Sequence, residues 1–317
     1  MTKNGMRIVV CLALLAALSG AGTAFGQYRE YYFYGKVIDT DKKPLADVEI
    51  KLRDVDTSRG YNVKTNKDGE FKFAGLPHGV YKVTFQKEGF AVKEDEWRFE
   101  ALQDTMQKVE IPDVVLVSQE LVEKAELMKS MEAEIKAAAE KIRNKDYEGA
   151  VAQLKAFLEK TPEEPNALYF LGIAYSRMKM NAEALEALTR VAQLVPNFAP
   201  VYFELGVAAE RLGDLPKAVE YYQKNLELDP ANPDSAYNAG LILFGLGRIE
   251  EARAAFDKSL KLRPDDPDVL EMAARCAINA GDFAQAIAYL EKALTGVKDA
   301  EKIKFLQDLL ATLREKK

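Results

Sequence analysis

Between residues 131 and 298 the small, bulky and polar positions recur every 34 residues without an insertion. An alanine marks the same point of five successive units, at Ala150, Ala184, Ala218, Ala252 and Ala286. Earlier in each unit stands a small residue: Ala138, Gly172, Gly206, Gly240 and Ala274. One helical turn after the alanine comes a bulky apolar one: Leu154, Leu188, Tyr222, Phe256 and Leu290. Pro162, Pro196, Pro230 and Pro264 close the first four units, and Lys298 takes that place in the fifth. Such spacing predicts two helices per unit with a turn between them, as in Asn166–Met178 followed by Ala182–Leu194. The small residues let the paired helices approach, because a larger side chain would hold their backbones apart. Proline lacks a backbone donor, so it belongs between one helix and the next. One hairpin of this kind cannot bury its own apolar face, so neighbours stack and bury it for each other around a concave inner surface.

A small residue, an alanine, a bulky residue and a proline, held in register at this period, resemble the tetratricopeptide repeat. On that resemblance the units run 131–164, 165–198, 199–232, 233–266 and 267–298. The resemblance implies an all-α superhelix whose groove receives a protein partner.

Upstream the period changes. In Val48-Glu49-Ile50-Lys51-Leu52-Arg53 apolar and charged residues alternate, as they do around Phe71 and Phe73 and along Tyr81, Val83 and Phe85. Alternation of this kind marks strands with one buried face. Turn chemistry separates them: Asp41-Lys42-Lys43-Pro44, Asn66-Lys67-Asp68-Gly69 and Leu76-Pro77-His78-Gly79. About seven short strands fit an antiparallel β-sandwich over 27–117. Gly35-Lys36-Val37-Ile38-Asp39, Pro44-Leu45-Ala46-Asp47-Val48, Asp68-Gly69-Glu70-Phe71 and the Leu76–Tyr81 stretch resemble the carboxypeptidase regulatory-like domain, a prealbumin-type sandwich. That resemblance implies an accessory or adhesive module, with protein or glycan as its contact.

Helical period returns at Ser118. Leu121, Ala125, Met128, Ile135 and Ile142 fall on one stripe with no Gly or Pro between, so 118–130 is expected to be a helical linker running into the first repeat, with Ser118 as its N-cap. Such a joint is stiffer than a Gly/Ser linker. At the other end, Ile303, Leu306, Leu310 and Leu313 lie on one face of 299–317, which suits a capping helix.

The first 26 residues are different in kind. Lys3 and Arg7 precede the apolar run Ile8–Leu18, and Ala24-Phe25-Gly26 carries small residues where a signal peptidase reads. We expect cleavage before Gln27 and export to the bacterial periplasm or beyond, with no stable membrane span afterwards. The alternative is a retained anchor. Cleavage would take the net charge from −6 to −8. A pI near 5.3 argues against nucleic acid and against a basic membrane patch. The mature chain would keep one cysteine, Cys276, among Ala273, Ala274 and Ala277, the surroundings of a packed and inert thiol.

Catalytic constellations are scarce. The sole histidine, His78, lies in a turn without a second histidine or cysteine to share a metal. Glu94-Asp95-Glu96 lacks the spacing of a calcium loop and reads as a solvated loop. No Gly-rich phosphate loop, zinc spacing or nucleophile elbow is present. We therefore expect no enzyme, no cofactor and no resident metal.

The informative chemistry lies on the first helix of each unit, where positions 5, 9 and 12 share a face. Position 5 holds Ile135, Tyr169, Phe203, Tyr237 and Glu271; position 9 holds Ala139, Ile173, Val207, Leu241 and Arg275. Position 12 holds Ile142, Ser176, Glu210, Phe244 and Ile278. We expect Tyr169, Ile173, Phe203, Val207, Tyr237, Leu241 and Phe244 to line a groove for an apolar or amphipathic segment of a protein partner. The same stripe packing against adjacent helices is the other reading. In one tetratricopeptide subgroup, basic residues and asparagine clamp a partner's terminal carboxylate; only Arg177 and Arg211 echo that here. The expected function is an exported, non-enzymatic interaction scaffold. The alternative is a glycan- or surface-binding protein that uses aromatics of the sandwich, Trp97 or the Tyr31–Tyr34 run, with the repeats as spacer.

Overall fold

A computed structural model describes residues 31–99 and 107–315. The chain divides into two compact units, Met1–Ser130 and Met131–Lys317. The expected leader at 1–26 lies outside the described residues.

The first unit holds strands β1 (Tyr31–Ile38), β2 (Glu49–Asp54), β3 (Gly60–Lys64), β4 (Glu70–Leu76), β5 (Gly79–Gln86), β6 (Lys93–Phe99), β7 (Gln107–Glu110) and β8 (Val114–Val115). One sheet runs β4-β1-β7, with β8 also on β1, and the other runs β3-β2-β5-β6. The alternating residues behave as their pattern requires: Ile50, Leu52, Phe71, Phe73, Tyr81, Val83 and Phe85 are all buried. They meet in one core between the sheets, where the Phe33 and Phe99 rings lie 4.0 Å apart and Phe71 stacks on Trp97 at 6.2 Å.

Two sequence expectations need correcting here. The sandwich is not wholly antiparallel, since β1 pairs in parallel with β7 and β8. Alternation reports which face of a strand is buried and carries no information about the direction of its neighbour. Glu94-Asp95-Glu96 is strand rather than loop, pairing with Thr84, Val83 and Lys82 of β5. It lies on an outer strand, where charged side chains discourage further strand pairing.

The second unit is built from hairpins: α1 (Gln119–Arg143), which starts in the first unit, with α2 (Tyr147–Lys160), α3 (Pro165–Arg177) with α4 (Asn181–Leu194), α5 (Ala199–Arg211) with α6 (Leu215–Leu228), α7 (Pro233–Gly245) with α8 (Ile249–Leu262), and α9 (Pro267–Asn279) with α10 (Phe283–Gly296). A single helix, α11 (Ala300–Glu315), follows. The recurring small residue is a socket for the recurring bulky one. A Cβ added to Gly172 would stand 2.6 Å from Leu188, one on Gly206 2.6 Å from Tyr222, and one on Gly240 2.7 Å from Phe256.

Each turn inside a hairpin closes in the same way. The amides of Asp146, Met180, Asp214, Arg248 and Asp282 donate to the carbonyls of Lys141, Tyr175, Ala209, Leu243 and Ala277 at 2.8–3.0 Å. This is the Schellman closure, which places the preceding residue in left-handed backbone. Gly213, Gly247 and Gly281 take that position at φ 84°, 73° and 77°, whereas Lys145 and Lys179 take it at 64° and 63°.

Ser118 caps α1 as expected, its hydroxyl oxygen accepting from the Leu121 amide at 3.3 Å. Its apolar stripe is covered only in part. Ile135 is buried with Leu154 and Phe157 of α2, and Gln153 of α2 donates to the Glu134 carbonyl at 2.8 Å. Leu121, Ala125 and Met128, two to four turns earlier, are exposed. In α11, Leu306, Leu310 and Leu313 are buried and Ile303 is half-buried.

Candidate functional site

First helices of neighbouring repeats meet, α3 with α5 and α7 with α9, which sets their equivalent positions side by side. All seven expected groove residues fall between the two sequence readings: Tyr169, Ile173, Phe203, Val207, Tyr237, Leu241 and Phe244 are each half-buried. The rings show why. Phe203 leans on Tyr222 at 5.8 Å and Tyr237 on Phe256 at 6.0 Å, so the position-5 aromatic rests on the ring that fills the glycine socket of its own repeat. Each ring thus extends the core of its repeat and remains half-buried. Repeat two has Leu188 in its socket, and Tyr169 rests instead on Phe198 at 5.0 Å, with an interplanar angle of 80°.

A polar patch lies beside Tyr169. The Glu204 carboxylate on α5 is buried, one oxygen 3.9 Å from the Arg177 guanidinium and the other without a hydrogen-bond partner among the described residues. Burial pushes the Glu204 carboxyl up, against the opposing pull of Arg177 and Arg211. The Tyr169 hydroxyl is pushed up to about 12, first by burial and then by the negative charge of Glu204. Arg211 is spent within the wall, donating to the Ser176 carbonyl at 2.8 Å and its hydroxyl at 3.1 Å. Glu210 accepts from the Tyr222 hydroxyl at 3.0 Å. Sequence reading passed over Glu204; its signal was a lone acid between the apolar positions 5 and 9.

His78 and Cys276 are the other chemical candidates. His78 is exposed in the turn between β4 and β5. Cys276 is fully buried, and burial pushes its thiol up to about 11. Among the described residues no group of three or more His, Cys, Asp or Glu could hold a metal ion, and no helix is long and apolar enough to cross a membrane.

Family comparison agrees with this geometry. Residues 33–112 match the carboxypeptidase regulatory-like domain, and 141–205, 199–232 and 237–301 match three tetratricopeptide repeat families. The chain joins a carboxypeptidase regulatory-like domain to a tetratricopeptide array. No curated protein matches its sequence. Among solved structures, pilF of Pseudomonas aeruginosa is similar over 59% of this chain and 85% of its own, at 19% identity and TM-score 0.52. YrrB, a tetratricopeptide protein with an unusual peptide-binding site, is similar over 55% of this chain and 90% of its own, at 20% identity and TM-score 0.50. A MamA structure covers 50% of this chain and 92% of its own, at 24% identity and TM-score 0.48. At these identities the likeness is one of fold. Tetratricopeptide arrays are protein-interaction scaffolds, and this array is built on that plan.

Proposed function

We propose that the protein is an exported, non-enzymatic scaffold which holds a partner protein through the inner face of its tetratricopeptide array. One observation carries the reading: the aromatic of position 5 recurs on α3, α5 and α7, each ring resting on a neighbouring ring and only half-buried. A rigid, half-buried aromatic flanked by aliphatics is the kind of surface that anchors an apolar or amphipathic segment. That YrrB has a peptide-binding site on a similar fold is consonant with this. Export rests on the leader pattern of 1–26, and recovery of a chain beginning at Gln27 by intact-mass analysis would support it.

The alternative, in which the sandwich is the primary contact for a glycan, loses its main candidate. Trp97 is 1% exposed and stacked inside the core. Tyr32 and Tyr34 remain half-buried on β1.

The test replaces Tyr169 and Tyr237 by Ala, singly, and follows capture from an envelope extract together with thermal unfolding. Each truncation should cost ~2 kcal/mol of binding or more, roughly thirtyfold in affinity. Because Tyr237 leans on Phe256, some loss of melting temperature is expected with it. Undiminished capture alongside a large fall in melting temperature would mean that these rings serve only the core.

A further inference from the structure

The column of position 5 does not stop at repeat five. Thirty-four residues after Glu271 stands Phe305, on α11. The first helices of repeats two to five begin at 165, 199, 233 and 267, and α11 begins at Ala300, within a residue of the next step. Contacts place it accordingly. Lys302 Nζ lies 3.2 Å from Glu271 and also pairs with Asp268, fastening α11 to α9. The Arg275 guanidinium, at position 9 of repeat five, stands 5.6 Å from the centroid of the Phe305 ring. Phe305 is 46% exposed, the one aromatic side chain among the large hydrophobic residues that are exposed in the described part of the chain. It is not needed to seat the helix, since Leu306, Leu310 and Leu313 do that. Where a partner helix would pack on a complete repeat, α11 shows Lys304, Gln307, Asp308 and Ala311, all exposed.

Resting on the groove reading above, we propose that α11 is the first helix of an incomplete sixth repeat and that Phe305 is a ligand-contacting residue of the groove. The site is then a row of apolar anchors (Tyr169, Phe203, Tyr237 and Phe305) broken once at Glu271. Its occupant is an uncharged apolar stretch of a partner protein, with a single polar residue over Glu271. Charge complementarity decides this, because the ionic groups along the wall are engaged with one another, save one Glu204 oxygen that is buried away from solvent. Arg177 faces Glu204, Arg263 pairs with Asp234 at 2.8 Å, and Glu271 is shared between Arg275 and Lys302. Beside these paired groups the groove leaves open ring and aliphatic surface, and a charged ligand would have to be desolvated against it with its natural partners already engaged.

The test uses the full chain and a fluorescein-labelled amphipathic peptide of leucine, alanine and glutamine, read by anisotropy. Wild type should bind. Phe305→Ala should weaken binding about tenfold, and Phe305→Leu, which keeps an apolar anchor, about twofold or less. Gln307→Ala, on the opposite face, should change nothing. Circular dichroism should show every variant folded, since Phe305 is half open to solvent. If Phe305→Ala binds like wild type while Tyr237→Ala is weakened, the groove stands and the role of α11 is wrong. If neither substitution affects a peptide that still binds, the groove reading fails with it. Binding only after the glutamines are exchanged for glutamate or lysine, or no binding of any of these peptides, would overturn the uncharged ligand class.

Discussion

Gly240→Ala tests whether the sockets, rather than helix propensity, set the hairpin geometry. In an exposed helix the change should stabilise by ~1 kcal/mol, because alanine loses less backbone entropy than glycine. Here the new Cβ would stand 2.7 Å from Cε1 and 2.9 Å from Cδ1 and Cζ of Phe256. Phe256 is fully buried with Tyr237 leaning on it, so the ring has little room to move away. Overpacking of this kind costs ~1–3 kcal/mol, so a net loss of about 1 kcal/mol is expected. Phe256→Leu alone leaves a void and should cost about 1–2 kcal/mol. Combined, the two substitutions give the Ala–Leu pairing that Ala138 and Leu154, and Ala274 and Leu290, already use with all four side chains buried. The double variant should therefore be at least ~1 kcal/mol more stable than additivity allows. Gly172→Ala, which faces Leu188 rather than a ring, should be milder than Gly240→Ala. Urea denaturation followed by the helical circular dichroism signal measures all four variants. A stabilising Gly240→Ala, or a cycle additive within ~0.5 kcal/mol, would refute the socket argument.

Two further outcomes follow from buried ionisable groups. The raised Glu204 carboxyl means that the folded chain takes up this proton at a higher pH than the unfolded chain does. Its favourable contribution is thus full below the unfolded carboxyl range and is lost as pH rises through the folded value, so Glu204→Gln should gain on wild type in thermal unfolding as pH rises above the ordinary carboxylate range; a constant difference would contradict this. Cys276, buried and with its thiol pushed up to about 11, should react with a thiol reagent many times more slowly in the native protein than in denaturant, and rapid native labelling would count against the packing described.

Much of the array was legible because its columns report contacts directly. Gly206 and Tyr222, or Gly240 and Phe256, are partners in space as well as in pattern, and the 34-residue period places the helices to within a residue. What stayed hidden depends on neighbours the pattern does not name. Alternation along β1 could not reveal its parallel partners β7 and β8. The apolar stripe of α1 could not say that cover ends before Met128. Position 5 picked out Tyr169, Phe203 and Tyr237, but not that each ring would be half-buried against a neighbouring ring. That outcome depends on Tyr222, Phe256 and Phe198, which the helical face alone does not select. Glu204 was overlooked because a single acid in an amphipathic helix is ordinarily solvated.

The turns of the five hairpins divide the array mechanically. Gly213, Gly247 and Gly281 adopt left-handed backbone freely, while Lys145 and Lys179 hold the same geometry at a cost of roughly 1 kcal/mol each. A stack of repeats behaves as a row of nearest-neighbour couplings, in which the less stable end opens first. On turn geometry alone, repeats one and two carry this cost and repeats three to five do not. Phe203 and Tyr237 stand on repeats three and four, Tyr169 on repeat two. On the proposed groove, a partner would gain its first hold on preformed surface and its last by drawing repeat two into place, which would couple its affinity to how tightly the first two turns are wound.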